Sequence, residues 1–92
     1  MIETFRCQDT EALFAGRRIR RFAAIESPAM RKLAMLNRAG RIEDLRVPPG
    51  NRLEALRGDR AGQWSVRIND QWRLCFRFES GNAYDVEIMD YH

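Results

Sequence analysis

The stretch QWSVRINDQWRLCFRF, residues 63–78, alternates apolar and polar side chains on both sides of a short polar break. The apolar row is Trp64, Val66 and Ile68 in the first half, and Trp72, Leu74, Phe76 and Phe78 in the second. A period of two residues is typical of half-buried β-strands. The Asn-Asp pair between the two runs is typical of a tight turn. This stretch therefore predicts an antiparallel hairpin with one buried face.

Two further segments extend this hairpin into a larger sheet. After the turn sequence SGN comes NAYDVEIMDY, residues 82–91, which alternates Tyr84, Val86 and Ile88 against Asp85, Glu87 and Met89. Before the hairpin lies RLEALRG, residues 52–58, which reads as a short strand. The second half of the chain therefore predicts an antiparallel meander of three or four strands.

The first half of the chain has helical signals instead. SPAMRKLAMLNRAG, residues 27–40, places Ser27 at the N-cap, Pro28 at the first helical position and Gly40 just past the end. DTEALFAG, residues 9–16, predicts a shorter helix capped by Asp9. MIETF, residues 1–5, predicts a short strand, residues 41–47 one helical turn, and the sequence PPG at residues 48–50 a break.

These elements predict an α+β fold, in which an N-terminal strand and two helices pack on one face of a mostly antiparallel sheet. A chain of 92 residues has room for one hydrophobic core, so we expect residues 1–92 to form a single domain. Cys7 and Cys75 have no metal or redox spacing and suit a reducing compartment. The sequence has neither an apolar leader segment nor a membrane span, so we expect a cytoplasmic protein with no membrane partner.

The basic residues favour an anionic partner. The net charge is +3, and Lys32 is the single lysine among sixteen Lys and Arg residues. Arginine offers a flat fork of donors that fits phosphate, which makes nucleic acid the expected partner. A GC-rich genome, which encodes arginine in place of lysine throughout, explains the same bias equally well. On the second face of the predicted sheet stand Arg67, Arg73 and Arg77. Either they meet an anion, or they pair with Glu54, Asp85 and Glu87 on adjacent strands.

The titratable residues favour one metal-free reaction. The sequence has no phosphate-binding glycine loop, and we expect no metal site or cofactor. The candidate polar set comprises Glu54, Arg57, Arg67, Arg73, Asp90, Tyr91 and His92. In RNA, a carboxylate base can deprotonate a ribose 2′-hydroxyl, which then attacks the adjacent phosphate. Arginines stabilise the charge that gathers there, and a histidine protonates the departing 5′-oxygen. On the residues alone, a surface role for His92 remains the simpler reading.

A resemblance to a known family sharpens this hypothesis. PPGNRLEALRGDRAGQWSVRINDQWRLCFRF, residues 48–78, followed by VEIMDYH, residues 86–92, resembles the HigB toxins of the RelE/ParE superfamily. MIETF and RKLAMLNRA agree with this family as well, so the resemblance covers essentially the whole chain. Its most specific parts are the pattern LxGDRxGxWSxRxNxxWRxxF, which begins at Leu56, and the sequence DYH.

The resemblance implies a compact RelE-like fold with a curved sheet, and an endoribonuclease that enters the ribosomal A site and cleaves messenger RNA during translation. It also implies a HigA-like helix-turn-helix antitoxin, and contact with operator DNA only through the toxin–antitoxin complex. It places Asp90, Tyr91 and His92 at the active site, Arg73 at a phosphate contact, and Arg57 at the basic position before Gly-Asp.

The predicted site therefore has two parts. Its catalytic residues are Glu54, Arg73, Asp90, Tyr91 and His92, and its RNA-binding residues are Arg57, Arg67 and Arg77. Glu54 departs from the family pattern, because some members carry a histidine there. An unperturbed glutamate is a weak base at neutral pH, so the sequence does not assign the residue that acts as the general base. Two other functions remain as alternatives: a ParE-like inhibitor of DNA gyrase, and a basic module that only binds RNA or a protein partner.

Overall fold

The computed structural model describes residues 1–91, and His92 lies outside the described residues. The α-helices are α1 (Gln8–Phe14) and α2 (Glu26–Arg38). Short 3₁₀ helices span Arg20–Ile25, Ile42–Arg46, Pro49–Asn51 and Gly58–Arg60. The strands are β1 (Glu54–Ala55), β2 (Trp64–Arg67), β3 (Trp72–Glu79) and β4 (Asn82–Asp90).

The predicted meander is confirmed as a four-stranded sheet. Its strand order is β1-β2-β3-β4, and each neighbouring pair is antiparallel. In the hairpin formed by β2 and β3, Val66 lies opposite Leu74 and Arg67 lies opposite Arg73. The strand predicted over residues 52–58 is shorter than expected, because only Glu54 and Ala55 pair with β2.

The helices cover one face of this sheet, which confirms the α+β architecture. The core residues from the helical side are Leu13, Phe22, Ile25, Ala29, Leu33 and Leu36. Those from the sheet are Val66, Leu74, Phe76, Ala83, Val86 and Ile88. An edge-to-face contact between Phe22 and Trp72, with ring centroids 5.6 Å apart, joins the two layers. The opposite face of the sheet, which we call the open face, carries polar side chains such as Ser65, Arg73 and Glu87.

The N-terminal segment differs from the predicted strand. Ile2 and Phe5 form isolated parallel bridges to Ala83 and Val86, so the segment follows the outer edge of β4 without becoming a regular strand. The first helix begins one residue before Asp9, with Cys7 at its N-cap and no side-chain cap. Asp9 instead lies in the first turn, where a carboxylate interacts favourably with the helix dipole.

The long helix begins earlier than its capping signal indicated. It begins at Glu26, because the 3₁₀ helix Arg20–Ile25 runs straight into it and leaves Ser27 inside the first turn. The end of the helix agrees with the sequence, with Ala39 at the C-cap and Gly40 beyond it. Among residues 1–91, no helix has the length and apolar character that crossing a membrane requires.

A β-bulge moves Tyr84 away from its predicted face. Cys75 lies opposite Glu87, and Arg77 lies opposite Tyr84, so β4 holds one more residue than β3 between these two pairs. The extra residue is Asp85, with φ +54°. Because an inserted residue reverses the alternation, Ala83 enters the core and Tyr84 lies beside the Arg77 guanidinium.

Candidate active site

Four side chains form a row across the open face of the sheet. The register places Glu54 opposite Ser65, Ser65 opposite Cys75, and Cys75 opposite Glu87. We call these four residues the central row. Its two middle members, Ser65 and Cys75, are completely buried although they face away from the core, so other side chains cover them. The carboxylates of Glu54 and Glu87 lie at its two ends.

Arg73 covers one half of the central row. Its Nε–H donates to Ser65 Oγ at 2.8 Å, and one terminal nitrogen donates to the backbone carbonyl of Arg52 at 2.6 Å. The same nitrogen lies 3.9 Å from a carboxylate oxygen of Glu54. The side chain is only 11% exposed. This guanidinium is therefore held in place before any ligand arrives, and its remaining terminal nitrogen is not used in these contacts.

Tyr91 covers the other half of the central row. Its backbone N–H donates to the carbonyl of Gln71 at 2.7 Å, and its hydroxyl lies 3.8 Å from the Cys75 sulfur. The Arg73 guanidinium lies 5.9 Å from the centre of the ring. Burial raises the pKa of the Tyr91 phenol and also that of the Cys75 thiol. Both groups are therefore protonated at neutral pH, and the phenol can donate a hydrogen bond.

A cleft of about 350 Å³ opens above these residues. It is lined by Arg52, Glu54, Arg67, Asn69, Asp70, Arg73 and Tyr91. Four of the predicted site residues therefore meet in one place: a carboxylate, two guanidinium groups and a phenol. A cleft of this composition can bind an anion and hold a proton acceptor and a proton donor beside it.

The other predicted arginines are placed differently. Arg67 lines the cleft and pairs with Asp70. Arg77 lies four residues along β3 from Arg73, roughly 13 Å at the usual strand rise, and it is not among the residues that line the cleft. Its Nε–H donates to Asp85 at 2.8 Å, a hydrogen bond that raises the pKa of Arg77.

Arg57 and Asp90 complete the predicted set within the described residues. Arg57 is exposed at the start of the 3₁₀ turn Gly58–Arg60. Asp90 lies opposite Trp72 at the end of β4, and one of its carboxylate oxygens accepts a hydrogen bond from the Gln71 side chain at 3.1 Å. Arg73 and Arg77 lie beside two of the predicted carboxylates, Glu54 and Asp85. Arg67 pairs with Asp70 instead, and Glu87 pairs with Arg60, so the pairing expected as the alternative to an anionic partner occurs only in part.

Comparison with known proteins identifies the family. A sequence model described as "RelE-like toxin of type II toxin-antitoxin system HigB" matches residues 13–92. The chain belongs to this family. Its membership makes it the toxin of a type II toxin–antitoxin system, with an antitoxin as its partner.

Curated relatives agree with this assignment. The chain is 46% identical over 64 residues to Toxin HigB-1 of Vibrio cholerae serotype O1, which covers 70% of this chain and 67% of that protein. It is 44% identical over 41 residues to Endoribonuclease HigB of Proteus vulgaris, covering 45% of each. The chain thus spans about two thirds of the first relative's length and less than half of the second's.

Solved structures support the fold. YafQ from E. coli superimposes with a TM-score of 0.66 at 12% identity, covering 99% of this chain and 92% of that one. A YoeB/ParE toxin from Agrobacterium tumefaciens gives 0.57 at 20% identity, covering 99% and 98%. At such low identity the likeness concerns the fold, and it confirms the predicted RelE-like architecture of this HigB-family chain.

The residues that hold Arg73 in place were not among those predicted from the sequence. Arg52 supplies a carbonyl to Arg73 because its backbone is left-handed, with φ +46°. The preceding residue, Asn51, is fully buried; its Oδ1 accepts from Lys32 Nζ at 2.6 Å, and its Nδ2 donates to the Leu45 carbonyl at 3.1 Å. This loop is thereby fixed to α2. The Pro-Pro-Gly-Asn sequence signalled a turn, but not which carbonyl the turn presents.

Proposed function

We propose that this HigB-family toxin is a ribosome-dependent endoribonuclease that inhibits translation by cleaving messenger RNA in the A site. The observation that carries the proposal is the cleft in which Arg73 is anchored between Glu54 and Tyr91. The relative from Proteus vulgaris, Endoribonuclease HigB, supports the same activity. The reaction is attack by the ribose 2′-hydroxyl on the adjacent phosphate, with no metal ion of the toxin's own.

Arg73 stabilises the charge on the phosphate in this mechanism. Ser65 and the Arg52 carbonyl fix its guanidinium, so little reorganisation is needed as negative charge builds up. Its other terminal nitrogen, which the contacts described within residues 1–91 leave unused, belongs to a side chain that lines the same cleft as Tyr91, whose neutral phenol donates a second hydrogen bond. Arg57 and Arg67 extend the binding of the RNA backbone, and Arg77 is a more distant contact of the same kind.

Proton transfer is assigned to the remaining residues. Glu54 lies at the cleft with its side chain 59% exposed, and it accepts the proton of the 2′-hydroxyl. Asp90 is the alternative carboxylate base. His92 protonates the departing 5′-oxygen, because imidazole exchanges protons near neutral pH. The 2′-oxygen forms its bond to phosphorus as the bond to the 5′-oxygen breaks, so the products are a 2′,3′-cyclic phosphate and a 5′-hydroxyl.

The proposed partners follow from this reaction. The toxin acts on messenger RNA held in the ribosomal A site, in the cytoplasm. A HigA-like helix-turn-helix antitoxin neutralises it, and the toxin contacts operator DNA only through their complex. Among residues 1–91, no three His, Cys, Asp or Glu side chains form a metal-binding group. Metal independence itself is tested by treating the toxin with a chelator and dialysing it before it is added to ribosomes.

The ends of the cleaved RNA test the mechanism. Purified toxin incubated with ribosomes translating a defined message should yield fragments with a 5′-hydroxyl and a 2′,3′-cyclic or 3′-phosphate, and toxin treated with chelator should cleave equally fast. Fragments with a 5′-phosphate would contradict attack by the 2′-hydroxyl. An intact message together with inhibited gyrase would assign the chain to the ParE-like activity instead.

A modified leaving group tests the role of His92. His92→Gln should lower the cleavage rate by about 10²–10⁴, the usual contribution of a general acid. A message with sulfur in place of the 5′-bridging oxygen needs no protonation of the leaving group, so it should restore cleavage by His92→Gln but not by Arg73→Gln. Equal impairment of the two variants on this substrate would remove His92 from the acid role.

A further inference from the structure

A second arginine is anchored on the open face of the sheet, beyond the cleft. Arg60, in the 3₁₀ turn Gly58–Arg60, uses one terminal nitrogen to donate to Gln63 Oε1 and to Glu87 Oε1, both at 3.0 Å. Its side chain is 28% exposed, and the Glu87 carboxylate is 16% exposed. This is a partly buried ion pair in which a neutral oxygen and a carboxylate hold the same nitrogen.

Arg60 and Arg73 stand at opposite ends of the central row. Arg73 is bonded to Ser65 and lies beside Glu54, whereas Arg60 is bonded to Glu87. Ser65 and Glu87 are two strands apart, roughly 10 Å at the usual spacing of neighbouring strands. The Tyr91 hydroxyl contacts Cys75, the row member between them. Two fixed guanidinium groups therefore flank the phenol on one surface.

Arg60 keeps donors available for a ligand. A guanidinium has five N–H groups, and both bonds that the structure describes use a single terminal nitrogen, which leaves its Nε–H and its other terminal nitrogen. Within residues 1–91, every buried side-chain nitrogen or oxygen has a hydrogen-bond partner, so these remaining donors lie where solvent reaches them. Glu87 also has Arg6 at 3.9 Å, so two cations share one carboxylate and the local charge stays positive.

We propose that Arg60 binds the RNA phosphate next to the one that is cleaved, so that the open face of the sheet holds two phosphates of one strand, at Arg73 and at Arg60. The inference rests on the proposed function, because it assumes that the scissile phosphate lies at Arg73. Anchoring through a single nitrogen suits this task, since it fixes the guanidinium while leaving a donating edge for phosphate oxygens. A purely structural role would be to tie the turn at residues 58–60 to β4.

The test compares two arginines that share the same carboxylate. Arg60→Gln removes the proposed contact, and Arg6→Gln removes the more exposed partner of Glu87. The probe is a short message on ribosomes with 2′-O-methyl groups that block cleavage, in which single phosphates are replaced one at a time by neutral methylphosphonate. For a single strand, each phosphate contact contributes roughly 0.7 to the slope of log affinity against log salt.

We expect Arg60→Gln to weaken binding about tenfold, roughly as the loss of one charge-assisted contact does, and to lower the salt slope by about 0.7. Neutralising the flanking phosphate should weaken binding of the wild type but not of Arg60→Gln, and Arg6→Gln should behave as the wild type does. If Arg60→Gln responds to every neutral phosphate as the wild type does, the proposal is overturned, whatever its melting temperature, because a structural tie cannot depend on one phosphate.

The same experiment separates this inference from the proposed function. Wild-type toxin that cleaves the unmodified message but shows no coupling between Arg60 and a phosphate overturns the inference alone. Coupling in a toxin that cleaves no message supports the phosphate site and contradicts the nuclease. A wild type that does not bind the probe overturns both.

Discussion

At the scale of single residues, the cleft depends on how Arg73 is held. Alternation along β3 predicted which way this side chain points, away from Leu74 and Phe76 in the core. Alternation could not predict that the side chain is only 11% exposed, because that depends on a carbonyl from Arg52, twenty-one residues earlier in the chain. The residue was therefore predictable and its fixed position was not.

Substitutions of Arg73 should distinguish the effect of its charge on the cleavage rate from the effect of its fixed geometry. Arg73→Gln should lower the cleavage rate by about 10²–10³, the usual cost of losing one preorganised donor to a developing charge. Arg73→Lys should recover only part of this loss, because an ammonium group cannot bond Ser65, Arg52 and a phosphate in the same fork. The measurement is single-turnover cleavage on programmed ribosomes, beside a thermal melt of each variant.

An exposed arginine on the helical side provides the control for this substitution. Arg38, at the end of α2, lies outside the cleft, and Arg38→Gln should cleave at the wild-type rate. A folded Arg73→Gln protein with an unchanged rate would exclude Arg73 from the chemistry. A full recovery by lysine would mean that charge alone, and not the anchored fork, is needed.

The Cys75 thiol should make stability fall at alkaline pH. Burial raises the pKa of Cys75 in the folded protein above its value in the unfolded chain, about 8.5. The folded state therefore holds the proton to higher pH than the unfolded state does. Its contribution is complete below about pH 8.5 and is lost as the pH rises through the folded pKa.

Urea unfolding between pH 7 and pH 9.5 measures this dependence. The free energy of unfolding of the wild type should decline over this range, and Cys75→Ala should decline less steeply, whatever its stability at pH 7. The raised pKa of Tyr91 acts in the same direction but only above about pH 10, beyond this range. Parallel curves for the two proteins would show that the thiol does not cause the decline.

At the scale of secondary structure, β4 shows which features the alternation of apolar and polar residues can predict and which it cannot. The strand and its antiparallel pairing were predictable, because Val86 and Ile88 alternate with polar residues and follow a Ser-Gly-Asn turn. Tyr84 was assigned to the wrong face, because the bulge at Asp85 reverses the alternation. An aspartate inside an alternating run looks like an ordinary outward-facing residue, so the sequence carried no sign of the bulge.

The bulge should reject a β-branched residue at Asp85. The backbone there is left-handed, with φ +54°, a conformation that aspartate and asparagine tolerate and valine does not. Asp85→Val should therefore be less stable than Asp85→Asn by about 1–2 kcal/mol. Both substitutions remove the charge that pairs with Arg77, but asparagine keeps an oxygen that can accept from Arg77 Nε, so the difference adds the loss of this bond to the backbone effect. Equal unfolding free energies in urea would show that the strand can pair without the bulge.

The loops that complete the cleft were the least predictable elements. The Pro-Pro-Gly sequence predicted a break, yet the position of the Arg52 carbonyl depends on Asn51, which is buried against Leu45 and bonded to Lys32 of α2. Such a contact between distant segments has no local pattern. The predicted helices and hairpin, in contrast, rest on periodicity within a few residues, and the structure confirms them.

At the scale of the whole molecule, charge by itself did not identify the function. A net charge of +3 indicated an anionic partner, but the arginines at three predicted sheet positions each have a carboxylate beside them. Family membership supplies what the charge could not, a toxin that acts together with an antitoxin. The motifs in the sequence predicted this family. The structure adds how the motif residues are arranged around the cleft.

Experiments in cells can test toxicity and RNA cleavage independently of each other. Induced expression of the wild type should arrest growth, and co-expression of its antitoxin should relieve the arrest, because family membership implies a neutralising partner. Arg73→Gln should be soluble and tolerated, since it loses the transition-state contact and keeps the fold. Sequencing of RNA 5′ ends should show new cleavage sites within translated regions for the wild type, and none for Arg73→Gln.

If growth stops while the message stays intact, the protein is a toxin that acts on another target, and gyrase activity in the same cells is the next measurement. Normal growth with abundant soluble wild-type protein would count against toxicity itself.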